Sequence, residues 1–236
     1  MGLDIYVGSL TRYHAGDWET IVQRTAREAG MKMQTIRANP DPPDKITDQT
    51  VINQAVRQWM QGLSVGLAKH ISAPLDWDEK ADAPYFTDKP DWVGYSGVIL
   101  LAAHLEHPSI PQPQAATSHW DKDPAWQAST EEGYHSRFGQ ILTPEYWLPS
   151  DFPFTFKAPD VTGTVVTFGS SQALLQQLTT LNNETLNGTE EDLSLWAYEG
   201  AGSGDPFVKS AQFGIAMFIR HARLSVEHRL PMKLDY

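Results

Sequence analysis

Apolar and polar positions alternate from the start of the chain: Leu3, Ile5 and Val7 share one side, Asp4 and Tyr6 the other. A period of two is that of a strand buried on one face. The spacing then changes to that of a helix, with Trp18, Ile21, Val22, Thr25, Ala26 and Ala29 on one stripe. Asp17 stands where a cap is needed and Gly30 where the helix should stop. Met31–Arg37 reads as a second strand, which makes the opening β-α-β, and Asn39–Pro43 as a proline loop. Over Ile46–Lys69 the apolar positions Ile52, Ala55, Val56, Trp59, Met60 and Leu63 predict a long helix.

Beyond the loop Ala73–Pro90, Val98, Leu101, Ala102 and Leu105 share a face and predict a helix over Tyr95–Glu106, ended by Pro108. Pro111–Trp147 shows little periodicity. Phe152, Phe154 and Phe156 alternate and Val161–Phe168 is β-branched, so the two segments predict a hairpin. Ser170 or Ser171 caps a helix through Leu181, and Leu193–Tyr198 reads as a strand before a glycine-rich turn. Asp205 and Pro206 occupy the cap and first positions of a last helix. Phe207, Ala211, Ile215, Phe218 and Ala222 line one face of that helix, and Phe213, Met217 and Leu224 another. Apolar residues on both sides predict burial in the core. Pro231 ends the helix and 232–236 can form a final strand. The pattern predicts one helix-rich α+β domain over residues 1–236, with a small mixed sheet and a buried C-terminal helix.

Charge adds a feature that periodicity does not. The net charge is −11, and residues 76–153 carry thirteen carboxylates against Lys80, Lys89, Lys122 and Arg137. The same window holds five of the eight tryptophans and nine of the sixteen prolines. Residues 73–153 therefore read as an acidic, Trp- and Pro-rich irregular excursion from the domain. An acidic chain lacks the basic face that nucleic acid or an anionic membrane requires, and it suits a cationic partner. With no cysteine, disulfides and thiolate chemistry are excluded. No apolar run reaches the length of a membrane span, and the opening residues lack the basic and apolar regions of a signal peptide. Tyr6 stands where myristoylation needs Ser or Thr. These features predict a cytoplasmic protein.

The patterns that could carry chemistry each miss a required residue. Gly200-Ala201-Gly202-Ser203-Gly204 precedes a helix as phosphate loops do, but Asp205 stands where the third glycine belongs, so no cofactor is expected. Gly94-Tyr95-Ser96-Gly97-Val98 approaches a nucleophile elbow, with Val98 in place of glycine; Ser96 then reads as a helix cap. His104 and His107, three apart, lack the zincin spacing and are weak metal candidates. His221 and His228 read as part of a solvated, ion-paired helix end. Asp4 shares a strand face with Tyr6; if helices cover both sides of the sheet it is a buried carboxylate in need of a partner such as His14. Asp4, Ser96 and His104 are the catalytic candidates. Tyr6, Tyr95, Trp120, Asp121, Trp126 and Trp147 are the binding candidates, as anchors or interface hot spots.

Met1-Gly2-Leu3-Asp4-Ile5-Tyr6 and the later Gly94-Tyr95-Ser96-Gly97 give the chain a resemblance to bacterial proteins of uncharacterised activity that begin MGLDIY and carry a GYSG segment. The resemblance implies a bacterial cytosolic origin and transfers no catalytic residue. The expectation drawn from the sequence is a non-catalytic, immunity- or inhibitor-like protein whose acidic aromatic surface meets a basic partner. The alternatives are a hydrolase with a pocket near Asp4, Ser96 and His104, metal-dependent in one form, and an interaction module of a larger assembly. The sequence leaves the oligomeric state open.

Overall fold

The computed structural model describes residues 2–32, 48–80, 82–200 and 206–236. In chain order the elements are β1 (Asp4–Val7), α1 (Leu10–Ala15), α2 (Ile21–Glu28), α3 (Gln49–Leu67), β2 (Phe86–Asp88) and α4 (Asp91–Glu106). There follow α5 (Pro124–Thr130), α6 (Gly139–Leu142), β3 (Tyr146–Leu148), β4 (Phe156–Pro159) and β5 (Val165–Ser170). Last come α7 (Ser171–Thr185), α8 (Glu190–Glu199), α9 (Phe207–His228) and β6 (Met232–Asp235). The strands form one mixed sheet in the order β2-β1-β6-β3-β5-β4, antiparallel except for the pair β3 and β5. The fold is α+β in a single domain.

Strand β1 forms where the alternation predicts it, but it is covered on both faces, with Tyr6 as fully buried as Ile5 and Val7. Ile5 and Val7 join Leu234, Met232 and Trp147 on a face packed against α4, α7 and α9. Helix α4 is apolar all round, as a helix enclosed by protein must be. It crosses α9 at glycines, where a Cβ on Gly214 would come within 2.0 Å of the Gly94 carbonyl oxygen. The opposite face of the sheet splits in two. Over β3, β5 and β4 it is apolar, with Tyr146, Leu148 and Phe168 packed on Ile52, Val56 and Leu67 of α3. Over β1 and β6 it is polar.

Several expectations change. The start of the chain holds two helices: Ser9 caps α1, and Thr20 with Gln23 forms a capping box for α2, downstream of the anticipated Asp17. The strand expected at Met31–Arg37 falls for the most part outside the described residues, as does the proline loop Asn39–Pro43. Leu193–Tyr198 is helix rather than strand, because Thr189 and Asp192 cap α8 reciprocally and three acidic residues occupy its first turn. A hairpin forms between β4 and β5, but it is shifted along the chain: Phe152 and Phe154 precede β4 and residues 161–164 lie in the turn. Ser170 caps α7 as its position suggests. Residues 73–153 are not an excursion, since they supply α4 to the core and β3 to the sheet interior. Among the aromatics between the acids, Trp77, Tyr95, Tyr146 and Trp147 are buried, and Trp92, Trp120 and Trp126 pack partly buried against the core.

Candidate functional site

One row of side chains crosses the whole sheet. Tyr6 stands opposite Thr87 on one side and Lys233 on the other, Lys233 opposite Tyr146, Tyr146 opposite Phe168, and Phe168 opposite Phe156. Residues opposed in register point to the same face, so the row sets a lysine between two tyrosines near the middle of the sheet. Two positions along the strands, Asp4 stands opposite Asp235 on that same face, with Cβ atoms roughly 5 Å apart by strand geometry.

Helix α1 closes over this polar half. The Lys233 ammonium lies 3.8 Å from the centre of the Tyr13 ring and 5.3 Å from that of Tyr146. The Tyr13 hydroxyl donates to Asp235 Oδ1, and the rings of Tyr13 and His14 meet edge to face at 5.1 Å. Trp18 stacks on Tyr13, and both touch Tyr6, whose hydroxyl donates to the Ser9 carbonyl at 2.9 Å. Residues 10–18 reach these positions because Ser9 caps α1 and Gly16 ends it in a left-handed conformation.

Burial shifts the ionisation of this group. The Asp4 carboxyl is raised from 3.8 to about 6, mainly because burial disfavours its charged form; Lys89 opposes the shift and Asp235 adds to it. His14 is lowered to about 4, by burial first and then by Lys233. Burial also lowers Lys233, against the pull of Asp235, Asp160 and Glu145. Burial, with Asp235 beside it, raises Tyr13. Three polar atoms here are buried without a hydrogen-bond partner among the described residues: Asp4 Oδ1, His14 Nε2 and Tyr146 Oη. Buried polar groups are seldom left unpaired, and clusters of shifted groups mark sites. The arrangement offers a proton acceptor poised near neutral pH, a cation in a low-dielectric setting and neutral donors around them.

The structure does not gather the three catalytic candidates. Ser96 lies inside α4 on the other side of the sheet, fully buried and without a hydrogen-bond partner among the described residues, and so is neither a cap nor an exposed nucleophile. His104 is eight residues further along the same helix, about 12 Å away. Its ring nitrogens face the Ile110 carbonyl at 3.2 Å and Asp123, which also caps α5, so the ring ties two helices together. His107 packs on Tyr134. Among the described residues no three His, Cys, Asp or Glu side chains are grouped to hold a metal ion. His221 is buried with Nδ1 2.9 Å from the Met217 carbonyl, a correction to its reading as part of a solvated end.

Of the binding candidates, Tyr6, Tyr95 and Trp147 belong to the interior, and Trp147 Nε1 donates to the Gln140 carbonyl at 2.9 Å. Trp120 stacks on Trp92 and Trp126 donates to the Leu142 carbonyl at 3.3 Å, so both anchor their loops to the core. Asp121 is exposed. Sequence reasoning found Asp4, Tyr6 and His14 and took Tyr146 for one of the aromatic anchors, but missed Tyr13, Lys233 and Asp235. The alternation of Met232, Lys233, Leu234 and Asp235 was the available signal for the last pair.

The chain matches no known family model, no curated protein and no solved structure. Its function has to be read from the site alone.

Proposed function

We propose that the protein is an enzyme that moves protons on a small polar substrate at the face shared by Asp4 and Lys233. The observation that carries this reading is a set of buried polar atoms on that face without hydrogen-bond partners among the described residues: His14 Nε2 and Tyr146 Oη beside Lys233, and Asp4 Oδ1 beside Asp235. A substrate supplying donors and acceptors would satisfy them. With its carboxyl raised to about 6, Asp4 can take up and return a proton near neutral pH. Lys233, held against two aromatic rings, can stabilise negative charge that develops on the substrate. Tyr13 positions Asp235 through its hydrogen bond and thereby keeps a second carboxylate beside Asp4. Hydrolysis of a polar ester or amide, or proton abstraction next to a carbonyl, fits this equipment.

The test is a thermal-shift and ligand-observed NMR screen of small acids, sugars, amines and esters against wild type, Asp4→Asn and Lys233→Met. A compound that raises the Tm of wild type by several degrees, and of neither variant, supports the reading. If every compound that binds treats the three proteins alike, the reading is wrong.

A non-catalytic role with a basic partner is the second reading, and one observation favours it. Asp121, Glu131 and Glu132 are exposed and form no ion pair among the described residues, and Tyr134 is 41% exposed beside them in sequence. Such a surface speeds association with a cationic protein and does so less at high salt. Capture of a basic protein at low salt, weakened by Glu131→Lys with Glu132→Lys, is the expected result. Recovery of no partner at low salt removes this reading.

A further inference from the structure

A groove of about 910 Å³ lies between the C-terminal half of α3 and strand β4, on the apolar half of the sheet face whose other half carries the polar cluster. That volume falls in the range of roughly 300–1,000 Å³ typical of small-molecule sites. Its walls are Trp59, Leu63 and Leu67 from the helix and Phe154 and Phe156 from the other side. Two glycines one helical turn apart, Gly62 and Gly66, open it, and a Cβ added at either would meet nothing within 4 Å. Glycine in a helix interior is unfavourable, and here the space left by two absent side chains is the groove itself.

Among the described residues, Lys157 and His70 are the charged or titratable groups that line the groove, and no carboxylate lines it. This stands out in a chain of net charge −11. Helix α3 contains no acidic residue. Lys157 is exposed and forms no ion pair among the described residues. The carboxylate nearest in sequence, Asp160, is engaged in the β4–β5 turn, where Oδ1 accepts from Thr162 and Thr164. An apolar trough with a lysine at its edge and, among the described residues, no carboxylate complements a molecule with an alkyl chain and one negative end.

We infer that this groove binds a medium- or long-chain fatty acid, with the chain along Gly62 and Gly66 and the carboxylate at Lys157. Titration calorimetry with octanoate, decanoate and dodecanoate on the full chain tests it. Dodecanoate should bind saturably at micromolar concentration, and each loss of two methylenes should weaken binding roughly tenfold. Gly66→Leu fills the trough with a better helix former, so it should keep or raise the Tm while weakening dodecanoate at least tenfold. Lys157→Glu should weaken dodecanoate several-fold and leave dodecyl maltoside unaffected. The inference fails if wild type shows no saturable binding, if affinity is independent of chain length, or if dodecyltrimethylammonium binds as tightly as dodecanoate. It also fails if light scattering shows a dimer that Gly66→Leu dissociates, which would assign the groove to a second copy of the chain.

Discussion

Asp4 and His14 sit in one polar cluster and are shifted in opposite senses, which makes their effects on stability separable. Asp4 is raised from 3.8 to about 6 on folding, so its contribution is fully present below about pH 4 and is lost as pH rises through 6. His14 is lowered from 6.5 to about 4, so its contribution is present above pH 6.5 and lost as pH falls through 4. Relative to wild type, Asp4→Asn should therefore be more stable at pH 7.5, with the difference vanishing at pH 4. The expected gain is about 1 kcal/mol, well below the full linkage because Asp4 is only partly buried and solvent screens it. His14→Gln should match wild type at pH 7.5 and exceed it at pH 4.5. Urea denaturation at three pH values checks both, and a parallel response of the two variants would refute the assigned shifts. At this scale the sequence was informative where alternation placed Asp4 opposite the apolar side of β1. It was silent on Lys233, whose burial depends on the strands that flank it.

Among the elements, glycines act in opposite ways according to what faces them. At the crossing of α4 and α9, a Cβ on Gly214 would meet the Gly94 carbonyl oxygen at 2.0 Å, and one on Gly97 would meet Ser210 backbone at 2.5 Å. Backbone cannot turn aside as a flexible side chain can, so Gly214→Ala should cost about 2–4 kcal/mol and Gly97→Ala a similar amount. On α3, Gly66→Ala should instead stabilise by about 0.5–1 kcal/mol, because the added methyl meets open space in a helix interior. Chemical denaturation of the three variants checks the contrast. Helix α4 was legible from its apolar spacing, although it begins earlier than that spacing suggested. Helix α8 was misread because Leu193, Leu195 and Ala197 alternate, while the signal for its start lies upstream in Thr189 and Asp192. Helix α1 spans too few residues for periodicity to register. Its N-terminus is completed by Glu79, which accepts from Leu10 N at 3.0 Å and Thr11 N at 2.8 Å.

Across the whole molecule, the acidic third resolves into two populations that composition cannot distinguish. Glu79 is 1% exposed and accepts from Trp77 Nε1 as well as from α1, and Glu106 accepts from Ser136 and the Arg137 backbone. Asp121, Glu131 and Glu132 stand in water. Glu79→Ala, which strands three buried donors, should cost about 3 kcal/mol or more, whereas Glu131→Ala should change stability by less than about 0.5 kcal/mol. Equal losses in a denaturation experiment would contradict this division. The sequence by itself determined the α+β class, the strand character of β1 and the burial of the C-terminal helix, and it placed a hairpin near β4 and β5 without fixing its strands. Each of these is a local property, set by side-chain period and turn chemistry over a few residues. Only the tertiary structure decided that β6, from the end of the chain, enters the sheet between β1 and β3. That pairing aligns Tyr6, Lys233 and Tyr146, sets Asp4 against Asp235 and draws α1 over them. Sheet order and register are long-range choices, made where the apolar faces of distant segments find one another, and no window along the chain contains them.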